Sequence, residues 1–192
     1  IDHVMMSRIP VAKKWHENEP KRPRYYAGDD APVYWYSATD VLVAAALEDL
    51  DEEQRKRFHP FLSGFNPNDK NADAHIRRML ELNPGLWQGL GEVFTRHDDV
   101  TALTEGDTPR ANNEALARVY HLAAEFDLPV MLHSNITSKR ERNPLYLVEL
   151  EEPLRNHPHT RFIWAHAGTS MELHRHQEKL EFLHETVSRL LD

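Results

Sequence analysis

The feature that most constrains the fold is an alternation of short apolar runs with longer segments of helical periodicity. The apolar runs are rich in aromatic and branched residues, which predicts strands, and they cover residues 3–9, 58–65, 85–94, 128–133 and 161–166. Helices are predicted at residues 38–58, 71–83, 112–127, 145–156 and 172–191. The first of them begins with Thr39 and Asp40, which are suited to cap it. A strand and a helix repeated five times predict right-handed crossovers and a parallel α/β sheet with strands buried on both faces.

One long segment, residues 10–38, interrupts this alternation. It is rich in proline and aromatic residues and is far longer than a usual connection between a strand and a helix. Segments of this length tend to be lids or binding loops, or else surface insertions. We therefore expect one domain over residues 1–192 with an inserted loop at 10–38, and the sequence leaves lid and insertion equally open.

Charge and composition exclude several classes of function. The net charge is -8, from 23 basic and 31 acidic residues, and no basic stripe interleaved with aromatic residues is present, so nucleic acid is not an expected partner. No apolar run approaches the roughly 20 residues that span a bilayer. The sequence has no cysteine, so any metal ligands must be histidine, aspartate or glutamate. We expect a cytoplasmic protein that acts on a small molecule, with homo-oligomer formation through exposed strand edges.

Polar residues follow the carboxyl ends of the predicted strands, where parallel α/β sheets bind their ligands. In chain order they are Arg8, Asn66, Glu92, His133 with Ser134 and Asn135, and His166. Two imidazoles and a carboxylate from three successive strands suit a divalent cation, above all zinc, with manganese as the alternative. The small residues Ala167 and Gly168 are expected to leave space beside the His166 ring.

Other groups of polar residues compete with this one. With 13 histidines in the chain, a single histidine is more often a surface or packing residue than a ligand. The pair at His157 and His159 precedes a strand and is predicted to lie on the opposite face, and the pair at His174 and His176 is predicted to be a minor contributor. Glu92 could instead pair with Arg96 or cap a turn. The glycines of "GLGEVF" match a dinucleotide-binding turn only weakly.

Three strand ends, "GLGEVF", "LPVMLHSN" and "RFIWAHAG", carry a resemblance to a known family. In this order and spacing they resemble the metal-dependent amidohydrolase superfamily, in the amidohydrolase 2 branch that includes relatives of aminocarboxymuconate semialdehyde decarboxylase. The resemblance implies a (β/α)8 TIM barrel of which about five βα units are present, so that the chain is expected to be a fragment. It also implies that His133 binds the metal, and that His166 is either a second-metal ligand or the acid and base for the activated water. Glu92 matches loosely the position of a carboxylate or modified lysine.

The resemblance implies hydrolysis of a C–N or C–O bond, as in an amide or lactone, by a metal-activated water. His166 and Glu92 are the expected catalytic residues, His133 and His166 the expected metal ligands, and Arg8, Asn66 and Asn135 the expected substrate contacts. The family's first-strand H-x-H pair and last-strand aspartate have no counterpart, so these residues alone are expected to be inactive. Two alternatives stay open: non-oxidative decarboxylation of an aromatic or unsaturated acid held by Arg8, and a non-catalytic barrel remnant.

Overall fold

The computed structural model describes residues 4–6, 36–97, 101, 104, 106–138, 143–169 and 181–191. Its strands are all parallel, and their order in the sheet is the order of the chain. They are β1 (Val4–Met6), β2 (Phe58–Leu62), β3 (Gly89–Thr95), β4 (Val130–Ser134) and β5 (Phe162–Trp164). A doubly wound sheet reverses its strand order at a switch point, whereas this sequential order is that of a singly wound barrel.

The described helices alternate with these strands, and the last one follows β5. They are α1 (Tyr36–Glu48), α2 (Glu52–Arg55), α3 (Ala72–Leu82), α4 (Glu114–Glu125), α5 (Leu147–Asn156) and α6 (Glu181–Leu191). Each predicted helix is present, although residues 172–180 of the predicted last helix lie outside the described residues. The prediction for residues 38–58 was wrong in treating them as one helix. The helix is interrupted at Asp51, which is the N-cap of α2. The Asp51 carboxylate and the Gln54 side chain form a capping box there.

The first helix also begins earlier than its sequence indicated. It starts at Tyr36, so that Thr39 and Asp40 are not its cap, and the end of the inserted segment 10–38 is already helical. The rest of that segment lies outside the described residues. The carboxylate of Asp40 instead accepts hydrogen bonds from the backbone N–H groups of Ser63 and Gly64, at 2.9 and 2.8 Å, which ties α1 to the loop after β2.

The hydrophobic core lies between the sheet and the helices. Its fully buried members include Leu62, Leu90, Val130 and Leu132 from the strands and Ile76, Leu116, Val119 and Leu150 from the helices. The prediction that strands are buried on both faces is wrong for β5, where Ile163 is exposed, because β5 pairs with β4 alone among the described strands. None of the described helices combines the length and the apolar character that a bilayer span requires.

Candidate metal centre

Three side chains from consecutive strand ends meet at the carboxyl edge of the sheet, as the sequence predicted. They are Glu92 in β3, His133 in β4 and His166 just beyond β5. The Nδ1 atom of His133 lies 2.7 Å from Oε1 of Glu92 and 3.1 Å from Nε2 of His166. The distance from that Nε2 to the same glutamate oxygen is 3.6 Å.

A β-bulge directs the Glu92 side chain toward β4. The pairing of β3 with β4 shifts its register between Leu90 and Val93, and Gly91 within the shift has a φ of +127°. A Cβ atom at Gly91 would lie 2.5 Å from the carbonyl oxygen of Met131, so glycine is required for the close approach of the two strands. Bulges often redirect a side chain beside a functional site. This is the structural role of the "GLGEVF" glycine, rather than that of a phosphate-binding turn.

Both the backbone and the ring of His133 are held by β3. The hydroxyl of Thr95 donates a hydrogen bond of 3.0 Å to the carbonyl oxygen of His133. Phe94, the register partner of His133, stacks on its imidazole with ring centroids 4.7 Å apart and planes at 25°. The His133 side chain is only 5% exposed, so its ring is shielded from bulk water.

His166 does not close a strand, in contrast to the prediction. The strand β5 ends at Trp164, and His166 lies in the 3-10 turn Ala165–Gly168. His166 and Ala167 have φ values of 39° and 48°, a left-handed conformation that costs about 1 kcal/mol or more for a non-glycine residue and is concentrated at functional sites. Gly168 is required by the indole of Trp164, which a Cβ atom would approach to 2.4 Å, so its small size accommodates that ring and not the imidazole.

The charge states of the site suit a cation. Burial raises the pKa of the Glu92 carboxyl, but hydrogen bonds and charges from His133 and His166 outweigh burial and hold that pKa below its usual range. Burial, together with the charge of His133, lowers the pKa of His166, and Glu92 opposes this change only in part. At neutral pH the site therefore presents an ionised carboxylate and a neutral His166 ring, the forms in which these side chains ligate metals.

The geometry of the donor atoms also fits a divalent metal ion. In a tetrahedral zinc site with ligand distances of about 2.1 Å, two ligand atoms lie about 3.4 Å apart. The three separations between the donor atoms, 2.7, 3.1 and 3.6 Å, bracket this value. Glu92, His133 and His166 are the one group of three such side chains found within the described part of the chain. Either all three ligate the ion and leave a fourth position for water, or two of them ligate it and the third acts on that water.

Two of the other predicted site residues, Asn66 and Asn135, lie in loops that follow strands. The side-chain oxygen of Asn66 accepts a 2.9 Å hydrogen bond from the backbone N–H of Asn68, which shapes the loop after β2. Asn135 is fully buried in the loop after β4. Arg8 lies outside the described residues, so the substrate-binding roles of all three residues stay predictions.

Two of the residues that competed with the cluster in the sequence, Arg96 and His157, make other contacts or lie elsewhere in the structure. Arg96 does not pair with Glu92; its guanidinium makes two hydrogen bonds to the carboxylate of Glu149 in α5. His157 ends α5 before β5 begins, which places it at the amino edge of the sheet, opposite the cluster. The pair His174 and His176 lies outside the described residues.

Two aromatic rings at the site, those of Phe94 and His97, were not predicted from the sequence. The ring of His97 lies 4.9 Å from that of His133 between centroids. In an extended strand residues 94 and 97 face opposite sides, but Arg96 has a φ of 46°, which turns the chain and returns His97 to the side of Phe94. The spacing of "FTRH" carries no signal for that turn.

Comparison with known proteins identifies the family. A family model described as Amidohydrolase matches residues 6–188, and a search of curated proteins found no match. The match covers the three strand ends that hold Glu92, His133 and His166, and the parallel strands in sequential order are part of a (β/α)8 barrel. The proteins of this family are metal-dependent enzymes, in agreement with the donor set. The chain belongs to the amidohydrolase family.

Proposed function

We propose that this protein hydrolyses a C–N or C–O bond of a small molecule, such as an amide or a lactone, in a zinc-dependent reaction. The observation that carries the proposal is the convergence of Glu92, His133 and His166 within 4.8 Å at the carboxyl edge of a parallel sheet. When bound, a zinc ion lowers the pKa of a water molecule and polarises the carbonyl oxygen of the substrate.

Glu92 and His133 are the residues that hold the cation. Their side chains are 25% and 5% exposed, so water competes weakly for them, and the bulge at Gly91 and the stacking of Phe94 orient both donor atoms. The carboxylate supplies a negative charge that offsets part of the cation's charge. A site that is rigid before the metal arrives loses little conformational entropy on binding.

His166 accepts the proton of the attacking water at Nε2. Its side chain is the most open of the three, at 33% exposed, and therefore faces the side from which a substrate enters. Because burial lowers the pKa of this imidazole, the ring is neutral at physiological pH and can act as a base. Of the two roles that the family resemblance implies for His166, we propose proton transfer.

Zinc titration of the metal-free full-length protein, monitored by calorimetry or by competition with a chelator, tests the assignment. The His133→Gln variant is expected to lose more than about 100-fold in affinity, since even the loss of a partner that only orients a ligand costs 10 to 100-fold. The His166→Gln variant is expected to retain zinc within about 10-fold and to lose turnover. The control is His157→Gln, which removes an imidazole at the opposite edge of the sheet. Wild-type affinity in His133→Gln would contradict the proposal, and loss of zinc from His166→Gln would make His166 a ligand.

Product analysis separates hydrolysis from decarboxylation on the same scaffold. Hydrolysis of a lactone or amide panel by the zinc-loaded full-length protein is expected to release acid without carbon dioxide. Release of carbon dioxide from an aromatic or unsaturated acid would replace our proposal with the decarboxylase.

A further inference from the structure

Three aromatic rings are in mutual contact at the buried side of the metal centre. Phe94 stacks on His133 at 4.7 Å between centroids, His97 lies 4.9 Å from His133 at 44°, and Phe94 and His97 meet edge to face at 5.9 Å. The imidazole of His133 is thus contacted by two neighbouring rings, one from the end of β3 and one from just beyond it. Neither Phe94 nor His97 belongs to the donor cluster.

Local backbone strain and several polar contacts bring His97 to this place. The φ of 46° at Arg96 lies in the left-handed region, which non-glycine residues seldom adopt. Two interactions hold the Arg96 side chain in the turn: the bidentate pairing with Glu149, with Nε to Oε2 at 2.7 Å, and the face of Tyr146, 4.1 Å from the guanidinium carbon. A strained turn persists only where its surroundings enforce it.

The backbone of His97 is fixed on both sides by one buried residue. The N–H of His97 donates to the Thr101 hydroxyl at 2.9 Å, and the N–H of Thr101 donates to the carbonyl oxygen of His97 at 2.8 Å. Thr101 is fully buried. The His97 ring is therefore presented to His133 by a rigid turn and not by a free loop end.

We propose that Phe94 and His97, which we call the aromatic clamp, are positioning residues that hold the His133 imidazole in the plane required for metal binding. This inference rests on the proposed function in taking His133 as a ligand. The second side-chain torsion of histidine is soft, and the contact with Glu92 restrains one edge of the ring only. Phe94 restrains one face of the ring, and His97, which lies beside Phe94, restrains the ring from an adjoining direction. Together they oppose the rotated orientation in which Nδ1 would turn away from Glu92 and His166.

Zinc affinity measured on ring-deleting and ring-retaining variants tests the clamp. The His97→Ala and Phe94→Leu variants are expected to bind zinc about 10-fold more weakly, in the range found for residues that orient a ligand. The His97→Phe variant keeps a ring without a nitrogen and is expected to stay within about 3-fold of the wild type. The matched control is His157→Ala, which deletes an imidazole in edge contact with Tyr120 at 5.3 Å and is expected to leave zinc affinity unchanged. Thermal unfolding of each variant checks that it is folded.

Unchanged affinity in His97→Ala would overturn the clamp. So would equal losses in His97→Ala and His97→Phe, because His97 would then act through its nitrogen atoms and not through its ring. A second readout needs no metal: the carbon-bound ring protons of His133, observed by NMR, are expected to be shifted upfield by the stacked Phe94 and to lose that shift in Phe94→Leu. Ring protons without such a shift in the wild type would overturn the clamp. A shifted ring in a protein that binds no zinc would refute the proposed function and leave the clamp intact.

Discussion

Replacing Asp40 by asparagine is expected to abolish a pH dependence of stability that this single buried carboxyl creates. Asp40 lies in α1 with no exposed surface and accepts the N–H groups of Ser63 and Gly64. Burial raises its pKa from 3.8 to about 6, and the two backbone hydrogen bonds oppose this rise without cancelling it. The folded protein therefore binds a proton at Asp40 more tightly than the unfolded chain does.

The sign and size of the effect follow from linkage. Because the folded-state pKa is above the unfolded one, the contribution to the free energy of unfolding is fully present below pH 3.8 and is lost as the pH rises through about 6. The difference between the two pKa values corresponds to about 3 kcal/mol over the whole range. Between pH 4.5 and pH 7.5 the same relation predicts a loss of about 2 kcal/mol.

Urea unfolding of the wild type and of Asp40→Asn at pH 4.5 and pH 7.5 measures this loss. The wild-type free energy of unfolding, taken relative to that of the variant, is expected to fall by about 2 kcal/mol between the two pH values. The amide of the variant does not titrate, so the difference isolates Asp40 from the other carboxyls. Asp49→Asn, at an exposed position, controls for the loss of one negative charge. A difference that stays flat, or that grows with pH, would refute the reasoning.

Two further substitutions test the supports of the metal centre. Arg96→Ala is expected to lower the free energy of unfolding, measured in urea, by about 2 kcal/mol, because it removes the bidentate partner of the Glu149 carboxylate, which is only 15% exposed. Arg96→Lys is expected to recover less than half of this loss. An unchanged unfolding midpoint in Arg96→Ala would contradict this prediction. Gly91→Ala is expected to cost about 2 kcal/mol or more, since its Cβ atom would meet Met131, and to weaken zinc binding by displacing Glu92. Zinc affinity equal to that of the wild type would show that the bulge does not position this ligand.

The parts of the site that were predictable are those that depend on strand ends. Glu92, His133 and His166 each follow an apolar run, and parallel strands bring their carboxyl ends to one edge, so their proximity could be inferred without coordinates. The geometry of the aromatic clamp could not be inferred in this way. Its geometry depends on a left-handed φ at Arg96, held by Glu149 53 positions away, and no local pattern encodes a contact at that separation.

By itself, the sequence determined the parallel α/β class, the order of the described strands, and the edge at which the polar residues gather, because hydrophobic periodicity and chain order are local properties. Four features became known only from the tertiary structure. They are the bulge that orients Glu92, the left-handed turn that contains His166, the hydrogen bonds between Asp40 and the loop after β2, and the exposure of Ile163 in β5. Each of these depends on the close approach of backbone and side chains that are distant in the chain, and such packing overrides local preference.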